Sequence, residues 1–275
     1  MLTQKYYSVA SYIMNSKFSK ALSLYDSMVL HFVNIRMKFK GRRSHYSRAE
    51  REPFFKVDDG EQSLIFCRRI RAPFYKNGIG RRLQILMTSY NLDKIPQDVT
   101  GAFIDCGANI GELGLVSRAR GWQYHAFEPE QLEADCCDIN AFQGQPKCNR
   151  LALWSEETTL TFYSKPDTAD SSVFEQTDIV SKKEIKTTTI DKYISDAAIT
   201  DIAVLKIEAE GAEPEVLLGA EAALTRAKFV TVDCGFERGM AQESTLVPVA
   251  NFLLKRNYEL VAWDRNWYRF LFMKV

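Results

Sequence analysis

The six cysteines of this 275-residue chain are Cys67, Cys106, Cys136, Cys137, Cys148 and Cys234, and no two of them form a C-x-x-C pair. Cys136 and Cys137 are adjacent, which argues against both a zinc site and a disulfide framework. Reduced thiols of a cytoplasmic protein are the expectation. Cys106 and Cys234 sit in apolar runs and read as small core residues. No segment reaches the ~20 apolar residues a membrane helix needs. The opening stretch MLTQKYYSVASYIMNSKFSK has no unbroken apolar core, so no signal peptide is expected. The net charge of +1 lacks the excess of one sign that marks a nucleic-acid binder.

What is present is an ordinary apolar fraction of 46%, enough for a real core. The length allows one large domain and an appendage. The charge is unevenly spread. Arg36, Lys38, Lys40, Arg42, Arg43, Arg48, Arg51 and Lys56 form a basic run opposed only by Glu50 and Glu52. Just before it, Phe18, Ala21, Leu22, Tyr25, Met28, Val29, Phe32 and Ile35 recur at helical spacing, which predicts an amphipathic helix over Ser16–Lys40. Its stripe has two readings. It packs on residues 61–95 or on a second subunit, as in a homodimer, or residues 16–56 touch an anionic membrane surface weakly. Packing is the favoured one, because protein satisfies such a stripe without a membrane. Ser63–Phe66 reads as a short strand and Arg81–Asn91 as a helix. Residues 1–97 are expected to form a helical, basic extension ahead of a main domain over 98–275.

From residue 100 short apolar runs alternate with helical patterns. Gly101–Asp105, Trp122–Phe127, Cys148–Trp154, Leu160–Tyr163, Ile202–Ile207 and Lys228–Val232 read as strands. Gly111–Arg120, Glu130–Phe142, Glu213–Ala227 (with Gly219 a weak point) and Leu246–Arg256 read as helices. This alternation predicts an α/β fold with a mostly parallel sheet covered on both faces. Tyr258–Trp263 and Tyr268–Met273 are separated by only four residues, too few for a parallel crossover, so the sheet must end in an antiparallel hairpin. A Rossmann-like methyltransferase sheet ends this way; a dinucleotide-binding dehydrogenase domain has no need to.

Three stretches carry chemistry. Asp105-Cys-Gly-Ala-Asn-Ile-Gly111 joins the first strand to a helix, and Gly107 and Gly111 let the backbone turn and approach a ligand. The spacing is G-x-x-x-G, not the G-x-G-x-x-G of a pyrophosphate loop. Asp105 would repel phosphate but suits a cation or an amine, and S-adenosylmethionine carries both a sulfonium and an amino group. Glu128, ending the second strand, can accept the two ribose hydroxyls of an adenosine; a plain acidic helix start is the alternative. Leu205-Lys-Ile-Glu-Ala-Glu-Gly-Ala-Glu213 lies at the carboxyl end of a central strand, where ligands of open α/β sheets bind. Glu208 and Glu210 there are costly unless functional, or paired with Lys206 to fix the loop.

With Phe127-Glu-Pro129, these blocks resemble the three signature blocks of the FkbM-type methyltransferases, in that family's order and spacing over roughly residues 98–273. Asp170-Ser-Ser172 and Thr188-Thr-Ile-Asp191 resemble its weaker intermediate motifs. The resemblance implies an S-adenosylmethionine-dependent O-methyltransferase acting on a hydroxyl of a sugar, a polysaccharide component or a secondary metabolite. It implies that Asp105, Gly107, Asn109, Gly111 and Glu128 hold the cofactor, and that Glu208 and Glu210 border the methyl-transfer site. Glu208 stands where the family often has Asp, and Asp233 where it often has Glu.

An alcohol acceptor gains from a general base. Glu208, Glu210, Asp233 and His125 are candidates, with His125 set apart because it lies inside a strand. A divalent metal on Glu208 or Glu210 with Asp233 is an alternative to a base. Two other classes stand beside the methyltransferase: a nicotinamide-dependent oxidoreductase, which would share the glycine loop and Glu128 but not the third block or the hairpin, and a non-catalytic binding protein on a methyltransferase fold, whose mark would be damage to the glycine loop or Glu128, both of which are intact. The acceptor itself is not legible, because acceptor pockets are built from loops outside the motifs.

Overall fold

The computed structural model describes residues 19–50, 53–164, 171–175 and 181–275, with side chains of the first helix from Ser27 onward. Ser16, Lys17 and Phe18 of the expected first helix, Arg51 of the basic run and Asp170 of the intermediate motif lie outside the described residues. The chain divides into two compact units, Met1–Arg82 and Leu83–Val275. The boundary precedes the expected one at 97/98 because Leu86, Tyr90, Leu92 and Ile95 belong to the second unit's core.

The first unit holds helix α1 (Ser19–Phe39) and a three-stranded antiparallel sheet of β1 (His45–Arg48), β2 (Phe55–Asp58) and β3 (Ser63–Phe66), in that order. The expectation of a helical extension foresaw only β3. The strands are four residues each, too short for alternation to show against the basic run. Helix α2 (Ile79–Ser89) follows.

The second unit runs β4 (Ala102–Cys106), α3 (Glu112–Arg120), β5 (Gln123–Phe127), α4 (Gln131–Phe142), β6 (Ala152–Leu153), β7 (Thr159–Ser164), β8 (Ser181–Thr188), α5 (Ile190–Asp196), β9 (Ile202–Ile207), α6 (Glu213–Leu218), α7 (Glu221–Leu224), β10 (Ala227–Asp233), α8 (Leu246–Leu254), β11 (Tyr258–Asp264) and β12 (Arg269–Lys274). Its main sheet has the order β11-β12-β10-β9-β4-β5. β10, β9, β4 and β5 are parallel, and β12 runs against both β10 and β11. The closing hairpin is therefore present. β9 is buried along its whole length, as its continuous apolar run requires of a central parallel strand.

The expected strand Cys148–Trp154 is reduced to Ala152–Leu153, and β8 has no counterpart in the sequence reading. β8 pairs with β6 and β7 in a separate small sheet. The expected helix Glu213–Ala227 breaks into α6 and α7 at Gly219, where a Cβ would collide with the Trp154 carbonyl.

Strand parity explains the interior. Alternate residues of β4, β9 and β10 enter two apolar clusters on opposite faces: Ile104, Leu205 and Val230 on one, Phe103, Val204 and Phe229 on the other. Following the second face toward the carboxyl ends leads from Phe103 to Asp105, from Val204 to Lys206 and Glu208, and from Phe229 to Asp233. Registry sets Asp105 beside Lys206, and Asp233 beside Arg269 of β12. One sheet face thus turns from apolar to ionic at the edge where β4 and β9 open into loops.

Candidate active site

The loop after β4 is held close to the loop after β9. Gly107 has a φ of 76°, and a Cβ there would collide with the Glu208 carbonyl. Asn109 adopts a φ of 49°, an unusual backbone for a residue with a side chain. Its own N–H donates to Glu128 Oε2 at 2.9 Å, while the N–H of Glu130 donates to Oε1 at 2.8 Å. The Glu128 carboxylate is thereby fixed at the end of β5, facing a cleft of about 90 Å³. Burial pushes its carboxyl up to about 7, against the pull of those two N–H groups. The cleft is lined by Gly107, Asn109 and Glu128, by Leu153 and Phe162 of the small sheet with Trp154 next to it, and by Glu208 and Glu210.

Asp105 and Gly111 do not line that cleft. The Asp105 carboxylate is fully buried; Lys206 Nζ lies 2.9 Å from one oxygen and the Tyr124 hydroxyl donates to the other at 2.6 Å. Its acid is consumed inside the protein by a lysine one strand away. Gly111 supplies a turn with φ 80° and room for α4, since a Cβ would meet Cys137 Sγ at 2.9 Å.

Lys206 is the hub of the ionic face. Only 1% exposed, it also donates to the carbonyls of Cys106 and Gly107, at 2.9 and 2.7 Å, and lies 3.2 Å from Glu208. The Lys206–Glu208 pairing weighed from the sequence is thus real. Glu208 has two more partners: Arg269 at 2.8 Å and the Tyr90 hydroxyl. Burial alone would raise the Glu208 carboxyl, but Lys206, Arg269 and Tyr90 more than reverse this and hold it well below the usual carboxylate range. A carboxylate so tightly held is an electrostatic fixture and a poor proton acceptor. Glu213 positions the same loop: its Oε1 accepts the N–H groups of Ala209 and Gly211 at 2.9 and 3.1 Å. The Ser172 hydroxyl of the intermediate motif donates to the Glu210 carbonyl at 2.7 Å.

Glu208 and Glu210 also form one wall of a second, roomier cavity of about 540 Å³. Asp233, Glu237, Phe236, Trp267, Tyr268 and Arg269 also line it, as do the amides Gln242 and Asn266. Arg269 Nε donates to Asp233 at 2.8 Å, so one guanidinium bridges Asp233 and Glu208. That bridge takes the pair of carboxylates a metal would need, and among the described residues no group of three histidine, cysteine or acidic side chains is arranged to hold an ion. Burial, reinforced by Glu208, raises the Asp233 carboxyl to about 6 despite Arg269. Burial, then Asp233 and Glu213, brings Glu237 to about 7. The Glu237 carboxylate lies over Gly235, in the space a side chain there would fill. His125 lies in neither cavity; its Nδ1 faces the Tyr193 hydroxyl at 2.9 Å.

The site therefore gathers Gly107, Asn109, Glu128, Glu208, Glu210 and Asp233, leaves Asp105 and Gly111 one layer behind, and adds Tyr90, Arg269, Glu213 and Glu237. The model of the methyltransferase FkbM domain matches residues 105–260, more than half of the chain. The chain belongs to the FkbM methyltransferase family. No curated protein matches it. Membership makes methyl transfer the chemistry of the domain, which disfavours the nicotinamide alternative. In this FkbM domain the match begins at Asp105, the buried partner of Lys206, and includes the glycine loop, Glu128, the β9 loop and Asp233. Arg269, which ties β12 into the site, lies beyond its end.

Proposed function

We propose that this protein transfers a methyl group from S-adenosylmethionine to a hydroxyl oxygen of a sugar, a polysaccharide component or a secondary metabolite, on a Rossmann-like sheet. One observation carries the reading: two cavities of different character share the wall made by Glu208 and Glu210 at the carboxyl end of the central strand β9. That is where a donor on one side and an acceptor on the other would meet.

The narrow cleft carries the groups the donor needs, and at about 90 Å³ it must widen to admit it. Glu128 is anchored by backbone N–H groups on one edge and can accept a ribose diol on the other. Leu153, Trp154 and Phe162 offer an apolar wall to a purine. The acids Glu208 and Glu210 face the end where a sulfonium and an amino group would lie. When bound, S-adenosylmethionine supplies an electrophilic methyl carbon whose transfer leaves the bonding electrons on sulfur. The protein's task is alignment and proton removal. Glu208, fixed by Lys206, Arg269 and Tyr90, gives the shared wall a permanent negative charge. The Asp233–Glu237 pair, raised into the physiological range, takes the acceptor's hydroxyl proton. Phe236, Trp267 and Tyr268 with Gln242 and Asn266 present ring faces and hydrogen-bonding groups, as a polyhydroxylated acceptor requires. All six cysteines are free thiols, in keeping with a cytoplasmic enzyme.

Calorimetric titration with S-adenosylmethionine, NAD and NADP, each alone, tests the donor assignment. The methyl donor and its demethylated product bind in the low-micromolar range or weaker, and NAD does not. Tight NAD binding with no response to the methyl donor refutes the reading.

A further inference from the structure

Helix α1 has two opposed faces, and among the described residues only one of them is packed. Val29, Leu30, Val33, Asn34 and Met37 are buried or half-buried. Asn34 fastens this face to β1, donating to the Tyr46 carbonyl at 2.7 Å and accepting the Tyr46 N–H at 2.7 Å. The other face carries Met28, Phe32, Ile35 and Phe39, exposed at 59%, 64%, 39% and 88%. At 100° per residue these four fall within an arc of roughly 60°, opposite the docked face. Arg36 and Lys38, both exposed, fall roughly 70–90° to either side of that stripe. Lys40 and Arg43 are exposed just beyond its end, Arg43 with the exposed Glu61 3.9 Å away, and residues 27–43 contain no aspartate or glutamate, Asp26 being the one acid of the helix.

An outward row of large apolar side chains edged by long cations has a specific physical match. The apolar row is stabilised in an acyl boundary, while lysine and arginine bury their stems and lift their charges to the phosphate level. No helix among the described residues is long and apolar enough to cross a membrane, so the geometry is that of a helix lying on a surface. A second protein chain would also cover apolar side chains, but it would not require cations on both edges with no acid among them. We propose that α1 seats this protein on anionic lipid bilayers, with Met28, Phe32, Ile35 and Phe39 in the interface and Arg36, Lys38, Lys40 and Arg43 on the headgroups. The proposal rests on the first unit alone and is independent of the methyl-transfer reading.

The test is co-sedimentation of the full chain with phosphatidylcholine vesicles, with and without about a third phosphatidylglycerol. The protein should pellet with the anionic vesicles only, and raising salt from about 50 to about 500 mM should release most of it. Phe32→Ser with Phe39→Ser should lower the partition coefficient about tenfold or more, because two apolar anchors are lost. Both side chains are exposed, so the variant should keep its circular dichroism and melting temperature. Absence of binding to either vesicle overturns the proposal, as does equal binding by the variant. So does a dimer in size-exclusion chromatography that the same two substitutions dissociate, which would assign the stripe to a second copy.

Discussion

Lys206→Met is the substitution that most directly tests the buried ionic face. Lys206 and Asp105 are each 1% exposed and lie 2.9 Å apart. Methionine fills most of the lysine stem's volume, so packing changes little and the charge effect dominates. Removing the ammonium affects four partners unequally. Glu208 keeps Arg269 and the Tyr90 hydroxyl. The Cys106 and Gly107 carbonyls lose a donor each. Asp105 keeps only the Tyr124 hydroxyl and becomes a nearly naked buried charge. Breaking a buried pair from one side costs about 3–5 kcal/mol. For a unit of this size that is a fall of roughly 10 °C in melting temperature. Adding Asp105→Asn to Lys206→Met should restore about half of the loss, because the stranded charge goes while the Tyr124 contact survives. Urea unfolding of the two single variants and the double variant gives the cycle. A cost below about 1 kcal/mol, or a double variant no more stable than Lys206→Met, refutes the argument that Asp105 is neutralised inside the protein. Asp105→Asn also separates this role from direct donor contact: affinity for S-adenosylmethionine should change by less than about threefold, well under 1 kcal/mol.

Glu128→Gln should weaken S-adenosylmethionine binding by about 1.5–3 kcal/mol in calorimetry and leave the fold intact, since it removes charge-assisted hydrogen bonds at the cleft wall. Turnover should rise with pH through about 6 to about 7, the values to which burial brings Asp233 and Glu237, because the base must lose its proton first; Glu237→Gln should flatten that limb and leave donor affinity unchanged, and a profile identical to wild type discards the pair as base. Stability should fall as pH rises from about 5 to about 8 in urea titrations. Glu213 and Glu128 are both raised by burial to about 7, so the folded state binds their protons more tightly than the unfolded chain does; that contribution is complete below the ordinary carboxylate value and lost through about 7. Gly219→Ala should cost about 1–3 kcal/mol of stability, because its Cβ must displace the Trp154 carbonyl; unchanged unfolding would show that the α6–α7 break is not forced there.

The main sheet was legible because its physics is local. A continuous apolar run marks β9, a four-residue gap dictates the β11–β12 hairpin, and the glycine loop and Glu128 follow their strands directly. The first unit is less legible for the same reason in reverse. Strands of four residues carry too little alternation to stand out beside a basic run. β8, Ser181-Lys-Lys-Glu-Ile-Lys-Thr-Thr188, is mostly solvent-exposed at its start, so its composition resembles a charged loop; it becomes a strand because β6 and β7 pair with it on either side. Where α6 stops was half legible: Gly219 signals a weak point, but the carbonyl that forbids a side chain there belongs to Trp154.

The site shows the same division between near and far. Gly107, Asn109, Glu128, Glu208 and Glu210 are identified by position relative to a strand end, and strand ends are visible in sequence. The partners that set each carboxylate's chemistry are not. Tyr90 reaches Glu208 across 118 residues, and Arg269 joins Glu208 and Asp233 from the start of the last strand. Those contacts decide which acid can serve as a base. Asp105, Glu208 and Asp233 are three acids at the ends of neighbouring strands, alike in sequence. In the fold one is neutralised by a buried lysine, one is pinned as a permanent anion by two cations and a phenol, and one is lifted toward neutrality by burial and the anion beside it. Parity alone would have placed all three on one face, since each follows an even number of residues from Phe103, Val204 and Phe229. What parity cannot supply is the cation opposite each acid, because that depends on which strands become neighbours. A carboxylate's position along its own strand therefore identifies the site, and the strand beside it assigns the role.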